Sequence, residues 1–87
     1  MFLHTGSESF EVSEHAALRM TQRRVSIDEA ESLLSQEPFS YFHGDAWKSG
    51  YYDSTSRLSV GTANGRVTTV VTRATPNYIN NLKRITP

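Results

Sequence analysis

Cysteine is absent from this 87-residue chain, and the absence narrows the chemistry available to it. Without thiols, the chain can form no disulfide scaffold, no thiolate zinc site and no cysteine nucleophile. It also lacks an apolar run of about 18 residues, the length that a membrane-spanning helix needs. The opening segment MFLHTGSESF is too short and too polar for a signal peptide. We therefore expect a domain that has no membrane partner.

Metal-ligand patterns are also lacking. The histidines His4, His15 and His43 show neither the spacing of a zinc site nor an accompanying carboxylate pattern. The segment GTANG at 61–65 has no lysine and no following helix, so it indicates a hairpin turn and not a phosphate loop. We expect no metal and no cofactor.

The length allows one modest hydrophobic core, which is too little for a catalytic domain and a separate binding domain together. We therefore expect a monomeric single domain with one compact site. Net charge is formally zero, but residues 1–45 hold eight acidic residues and three arginines, whereas residues 46–87 hold six lysines and arginines and one acid. Two interpretations are open: ordinary scatter in a short sequence, or a basic sheet surface that faces a polyanion.

Helical signals occupy the first half of the chain after a polar start. Residues 1–12 lack a helical stripe and are rich in Ser, Gly, Thr and Glu, so we predict a flexible arm there and a single domain over 13–87. Ser13 suits the N-cap of a helix that reaches about Arg24. SIDE at 26–29 predicts a capping box and a second helix that Pro38 ends.

Strand signals follow Pro38. FSYF at 39–42 and AWKSGYYD at 46–53 predict two strands around a turn at 44–45, and Asn64-Gly65 predicts a type I′ hairpin. Counting outward from that hairpin pairs Leu58 with Val71 and Arg57 with Thr72, which would place Arg57, Arg66 and Thr72 on one polar face.

The end of the chain has the pattern of a short helix. Thr75 as cap and Pro76 as first residue predict that it begins there, and Tyr78, Ile79, Leu82 and Ile85 can pack back on the domain. The expected fold class is α+β. Two N-terminal helices would pack on a three- or four-stranded antiparallel sheet, with the short helix at the C-terminus.

The first predicted helix carries an unusual polar strip. In SEHAALRMTQRRVS at 13–26, His15, Arg19 and Arg23 recur every four residues beside the apolar Ala16 and Met20. An imidazole at such an edge can act as a general base or acid near neutral pH. The alternative is a histidine bonded to a backbone carbonyl and two arginines whose stems cover the edge of the core.

This segment resembles the signature S-x-H-A-x-x-R-M-x-x-R-x-[IV]-S of a widespread small bacterial family whose fold is similar to RelE. The resemblance extends over about residues 12–84, with the strand half matched only by pattern and order, and Arg24 stands where the family often has Gly. Related domains form the C-terminal toxin tips of polymorphic and contact-dependent growth inhibition proteins, in the barnase, EndoU, colicin and RelE-like group. The signature positions are filled by Ser13, His15, Ala16, Arg19, Met20, Arg23, Val25 and Ser26.

The resemblance implies a metal-independent ribonuclease that leaves a 2′,3′-cyclic phosphate. On this sequence it makes His15 the base or acid, Arg19 the cation that stabilises the phosphate, and Thr72 a hydroxyl donor. Tyr51 and Tyr52 compete for a fourth place, with Tyr52 slightly favoured. The substrate-binding cations that we expect are Arg23, Lys48, Arg57, Arg66 and Arg73.

Three functions are compatible with these expectations. The first is an RNA-cleaving toxin that acts on tRNA in the cytoplasm of a target bacterium, is delivered by a larger secreted or cell-surface protein, and is neutralised by a cognate immunity protein. The second is a RelE-like type II toxin that is paired with an antitoxin. The third is a noncatalytic domain of the same fold that binds RNA or a protein. The predicted arm favours the first over the second.

Overall fold

The computed structural model describes residues 1–84, which form three helices and one six-stranded mixed sheet. The α+β class is confirmed, but the predicted order, with helices first and three or four antiparallel strands after them, was wrong. The helices are α1 (Glu14–Gln22), α2 (Ile27–Leu34) and α3 (Pro76–Arg84). The strands are β1 (Phe2–His4), β2 (Ser9–Val12), β3 (Phe39–His43), β4 (Ala46–Asp53), β5 (Leu58–Ala63) and β6 (Arg66–Val71). They lie side by side in the order β1-β2-β6-β5-β4-β3.

Residues 1–12, where we expected a flexible arm, instead contribute the strands β1 and β2. These strands pair antiparallel with each other, and β2 also pairs parallel with β6. Leu3 and Phe10 face each other across the pair and are both buried in the main core. Strands of three and four residues contain too few alternations to stand out among Ser, Gly, Thr and Glu, which is why the pattern was missed.

Both N-terminal helices begin where the sequence predicts. The Ser13 hydroxyl accepts a hydrogen bond from the Ala16 N–H at 3.1 Å, and Ser26 and Glu29 form the reciprocal bonds of a capping box. Between the helices, Arg24 has a φ of 54°, in the left-handed region that favours glycine. The resembled family often has Gly at this position, and in this chain an arginine adopts the left-handed conformation.

The β5–β6 hairpin has the predicted turn but a different register. Asn64 and Gly65 both have positive φ, as a type I′ turn requires, and Ala63 pairs with Arg66. A bulge then adds Thr68 to β6, so that Val60 pairs with Val70 and every later pair is shifted by one residue. The predicted pairing of Leu58 with Val71 was therefore wrong, because no local pattern indicated the extra residue.

The bulge also separates the three residues that we expected on one polar face. Arg57 precedes β5 in a turn with a φ of 60°, and Thr72 follows the last residue of β6. Arg66 is the first residue of β6, and the bulge lies between it and Thr72. The common face of Arg57, Arg66 and Thr72 is not formed.

The sheet has helices on both faces. The α1 and α2 helices pack on the face that we call the helix-pair face, which carries Leu58, Val60, Val67 and Val70. The opposite face, the α3 face, carries Ser59, Gly61, Thr69 and Val71, and α3 lies over its β3 side. Residues 58–62 of β5 are buried throughout because both faces are covered.

The C-terminal helix begins as predicted. The Thr75 hydroxyl accepts a hydrogen bond from the Tyr78 N–H at 3.1 Å, and Ile79 is buried. The predicted packing residue Ile85 lies outside the described residues. None of the helices described in residues 1–84 is long and apolar enough to cross a membrane.

Candidate functional site

The polar strip lies on α1, which packs against β6. The N–H of Ser13 donates to the Val67 carbonyl at 3.0 Å, so the start of the helix is fixed to the sheet. His15 is exposed in the first turn, and its imidazole makes no hydrogen bond within residues 1–84. Arg19 is half-buried, and its guanidinium donates to Gln22 Oε1 at 3.2 Å. The imidazole and the Arg19 guanidinium are thus both presented on one helix.

Arg23, the third member of the strip, has a structural partner. Its Nη1 donates to the Val70 carbonyl of β6 at 2.6 Å. The strand β2 pairs with β6 only at Arg66 and Val67, so the rest of that edge of β6 has no neighbouring strand. Arg23 occupies this open edge. It therefore has the packing role that the sequence analysis gave as the alternative to a role in catalysis.

More arginines gather where β6 ends. Thr72 and Arg73 follow β6 directly, and the Ala74 N–H donates to the Arg57 carbonyl at 2.9 Å. Within the described part of the chain, the one ion pair is elsewhere, between Arg66 and Glu11. We call Arg23, Arg57 and Arg73 the cationic end.

His15 stands apart from this cationic end. Eight residues separate it from Arg23, which is a rise of about 12 Å along a helix axis. His15 therefore lies towards the Val67 end of β6, with Arg19 midway along α1. The site is a linear arrangement of an imidazole, a guanidinium and a cationic end, with Thr72 at the far end.

The two candidate tyrosines lie on different faces of the sheet. Tyr52 pairs with Ser59 on the α3 face, and its hydroxyl donates to the Ala74 carbonyl at 2.8 Å. Tyr51 points into the helix-pair core, edge-on to Phe10 with ring centroids 6.3 Å apart. The structure does not bring Tyr52 to His15, because the sheet lies between them.

Two of the predicted substrate-binding cations are also on the α3 face. Lys48 is half-buried and pairs with Tyr41 across β3 and β4. Arg66 is held by Glu11 at 3.1 Å, with both side chains about half exposed (52% and 50%). Alternation along the strands places both cations away from α1.

Sequence reasoning missed a small pocket between α3 and the sheet. Its volume is about 140 Å³. Tyr41 is only 7% exposed, and burial raises the pKa of its hydroxyl, with Tyr78 adding to the effect. The alternation of Tyr41 and His43 in β3 would have predicted part of this pocket, but the other members come from distant segments. Its lining residues are Tyr41, His43, Thr69, Tyr78 and Leu82.

No group of three or more histidine, aspartate or glutamate side chains within residues 1–84 could hold a metal ion. The α1 strip supplies nitrogen donors and cations, which suit an anionic ligand such as a phosphate. No family model, curated protein or solved structure matches the chain. Membership of the RelE-like family therefore stays a prediction from the α1 signature.

Proposed function

We propose that this domain is a metal-independent ribonuclease whose site is the α1 strip together with the cationic end. One observation carries the proposal: an exposed imidazole and a guanidinium lie on α1 with a second guanidinium at its C-cap, and none of the three has a carboxylate partner within the described residues. A purely structural surface has little need of this combination, because two guanidiniums without a carboxylate partner repel each other.

The chemistry needs only groups that the RNA and the strip provide. His15 takes the proton of the ribose 2′-hydroxyl, the 2′-oxygen forms a bond to phosphorus, and the bond from phosphorus to the 5′-oxygen breaks. Arg19 stabilises the charge that develops on the phosphoryl oxygens. The protonated His15 imidazole then gives that proton, through a water molecule, to the leaving 5′-oxygen, and the product is a 2′,3′-cyclic phosphate. Thr72 is the hydroxyl donor proposed at the far end.

Binding of the substrate follows from the positions of the cations. Arg57 and Arg73 lie at the cationic end, where they can hold phosphates that flank the scissile one. Lys48 and Arg66 lie on the α3 face and are proposed only as contacts for a strand that wraps around the edge of the sheet. The proposed substrate is a tRNA, as the resemblance implies.

The proposed biological setting is a toxin domain that a larger protein delivers to the cytoplasm of a target bacterium. A cognate immunity protein would then neutralise it, and a RelE-like type II toxin with its antitoxin is the alternative. The predicted arm no longer favours the delivered toxin over the type II toxin, because residues 1–12 include two strands of the sheet. The gene upstream would separate them, since a delivered domain needs a large preceding reading frame.

A noncatalytic RNA- or protein-binding domain is the second candidate function. The observation that favours it is the hydrogen bond from Arg23 to the Val70 carbonyl, which gives one member of the strip a packing role. A binding surface needs the cations but makes no demand on His15.

Single-turnover cleavage of tRNA at saturating protein tests the proposal. We expect His15→Ala to lower the rate by about 10²-fold or more, the usual scale for losing a general base. Arg19→Ala should lower it by about 10²-fold, as for a lost donor to a developing charge. Leu18→Ala is the matched control, because Leu18 is on the same helix and is exposed. Its rate should equal that of the parent.

Three further readouts belong to the same experiment. Cleavage should continue in EDTA, the product should carry a 2′,3′-cyclic phosphate, and DNA of the same sequence should stay intact because it lacks the 2′-hydroxyl.

Expression of the parent should arrest growth, and His15→Ala should relieve the arrest. If folded His15→Ala and Arg19→Ala cleave at the parental rate, the strip is not catalytic, and the binding function replaces this proposal.

A further inference from the structure

The strands β1, β6 and β3 each have an edge without a neighbouring strand, and side chains bond to two of these edges. In β1, the N–H of His4 donates to the Glu31 carboxylate at 2.7 Å. At the open part of β6, the Arg23 guanidinium donates to the Val70 carbonyl. Unpaired strand edges attract other strands, and native proteins usually block them. The remaining edge belongs to β3, at the opposite end of the sheet from β1.

The β3 edge is open. Its five residues, FSYFH, include no proline, lysine or arginine, and its pairing with β4 contains no bulge. These are the usual features that prevent a further strand from pairing at an edge. No hydrogen bond from outside the β3–β4 pair reaches the backbone of Ser40 or Phe42 within residues 1–84.

The turn after β3 determines which backbone groups point outward. Gly44 and Asp45 both have positive φ, as in a type I′ turn, so the flanking residues His43 and Ala46 form a hydrogen-bonded pair. Bonded and non-bonded pairs alternate along an antiparallel ladder. The N–H and C=O groups of residues 40 and 42 therefore point away from β4, and β3 offers both donors and acceptors to a further strand.

On the helix-pair side, this edge carries an exposed aromatic pair. The Phe42 and Trp47 rings meet edge-on with centroids 5.5 Å apart, and Trp47 is 57% exposed. In an added strand, the residues opposite Ser40 and Phe42 would lie on this side of the sheet. Apolar side chains at those positions would cover the aromatic pair.

On the α3 face, the surroundings of the edge are cationic. The Nζ of Lys83 lies 5.0 Å from the centroid of the Phe39 ring, and neither Lys83 nor Arg84 has a carboxylate partner within the described chain. Glu37 and Asp45 lie outside β3, one beyond each end. An added strand would lie about 4.8 Å from β3, so a carboxylate opposite Phe39 can reach Lys83.

The same cations disfavour a second copy of this chain as the added strand. Pairing of two β3 edges would bring two sets of Lys83 and Arg84 to one junction, where like charges repel. The charge of the edge therefore favours a different protein with acidic side chains.

We propose that the open edge of β3 binds an extended segment of a partner protein as a seventh strand of the sheet. In this segment, acidic residues on the α3 face alternate with apolar residues that cover the Phe42–Trp47 pair. The strands β4 and β5 separate β3 from β6, on which α1 packs, so the proposal does not depend on the ribonuclease function.

A fluorescence titration of the full chain, without RNA, tests the proposal. Trp47 is the one tryptophan in the sequence, so its emission reports on this edge. The probe is a blocked peptide of about seven residues in which glutamate and valine alternate. We expect a saturable shift of the emission to shorter wavelength, because a valine side chain would cover the indole.

Two altered peptides test the pairing and the charge separately. Methylation of the valine backbone nitrogens should abolish binding, because the residues opposite Ser40 and Phe42 supply the N–H groups that bond to β3. Lysine in place of glutamate should weaken binding by about tenfold or more, because it meets the cations of α3.

Matched variants test the same two contacts from the protein side. Ser40→Pro removes an outward N–H at an edge position, where proline is tolerated, and should weaken binding by about tenfold or more. Ser40→Ala keeps that N–H and should bind like the parent. Lys83→Gln should weaken binding severalfold, whereas Arg24→Gln removes an exposed charge from the α1–α2 junction and should change nothing.

Several outcomes would overturn the proposal. It fails if the glutamate peptide causes no saturable change at millimolar concentration, or if the methylated or the lysine peptide binds as tightly. It also fails if Ser40→Pro, folded by circular dichroism, binds like the parent. Sedimentation that finds the parent dimeric and Ser40→Pro monomeric would assign the edge to a second copy of the chain instead.

Discussion

At the scale of single residues, Gly61 determines how closely the Tyr41 side chain approaches β5 on the α3 face. The Tyr41 hydroxyl, from β3, lies over Gly61 of β5, across the intervening strand β4. A Cβ at Gly61 would lie 2.5 Å from the Tyr41 hydroxyl oxygen and 3.3 Å from the Thr69 Cβ. A Cβ at Gly61 therefore requires the Tyr41 side chain to shift, although Tyr41 is only 7% exposed. Gly61 therefore contributes to stability by its lack of a side chain.

We predict that Gly61→Ala lowers the free energy of unfolding by about 1–3 kcal/mol, the usual effect of overpacking. Urea denaturation would measure it. Gly6→Ala is the control, because no atom lies within 4 Å of a Cβ there. Adding Tyr41→Phe to Gly61→Ala should recover part of the loss, since it removes the atom that clashes. Equal stability of Gly61→Ala and the parent would show that Tyr41 does not lie over β5.

At the scale of elements, the arginines of the α1 strip make different contacts: Arg23 is bonded to the sheet, and Arg19 is not. The guanidinium of Arg23 bonds to the Val70 carbonyl, whereas that of Arg19 bonds only within its own helix. The two arginines look equivalent in the sequence, but they make different contacts in the fold.

We predict that Arg23→Ala lowers the free energy of unfolding by about 1 kcal/mol, because it leaves a carbonyl at the open edge of β6 without its donor. Arg19→Ala should stay within about 0.5 kcal/mol of the parent, because the Arg19 guanidinium bonds only to Gln22 of its own helix. Thermal unfolding of the two variants side by side would show the difference. If both melt alike, the Arg23 bond contributes nothing, and both arginines are free for a ligand.

The elements that the sequence predicted are those with local signals. Caps at Ser13, Ser26 and Thr75 and the turn at Asn64-Gly65 each depend on a few neighbouring residues. The Thr68 bulge has no such signal, because it depends on how β6 meets β5 and β2. One unpredicted residue was enough to change the register of the hairpin beyond it.

The candidate site was predictable to the same extent. Helical periodicity correctly placed His15 and Arg19 on one helix, and Arg23 is the C-cap of that helix. Tyr52 and Lys48 could not be assigned a side of the sheet, since a one-residue change in register exchanges the faces. Their position on the α3 face follows from the strand pairing, which only the whole fold determines.

At the scale of the whole molecule, the acidic and basic halves of the sequence meet inside one sheet. Glu11 of β2 lies beside Arg66 of β6 and forms an ion pair with it. The strand β2 pairs parallel with β6 and leads directly into α1. The Ser13 N–H at the start of α1 donates to the Val67 carbonyl of β6. The N-terminal segment is therefore part of the core and also fixes the helix that carries the proposed site.

Removal of residues 2–12 should abolish cooperative unfolding, because it deletes two strands together with Leu3, Phe10 and Val12, which are all buried in the main core. Circular dichroism during heating would show a broad, shallow change in place of a sigmoid transition. Single variants locate the cause. Leu3→Ala should cost about 2–5 kcal/mol as a buried large-to-small change, while Phe2→Ala, at a side chain 56% exposed, should have a small effect. A shortened chain that melts cooperatively at the parental temperature would return these residues to the role of an arm, and α1 would then have to hold its position on β6 without β2.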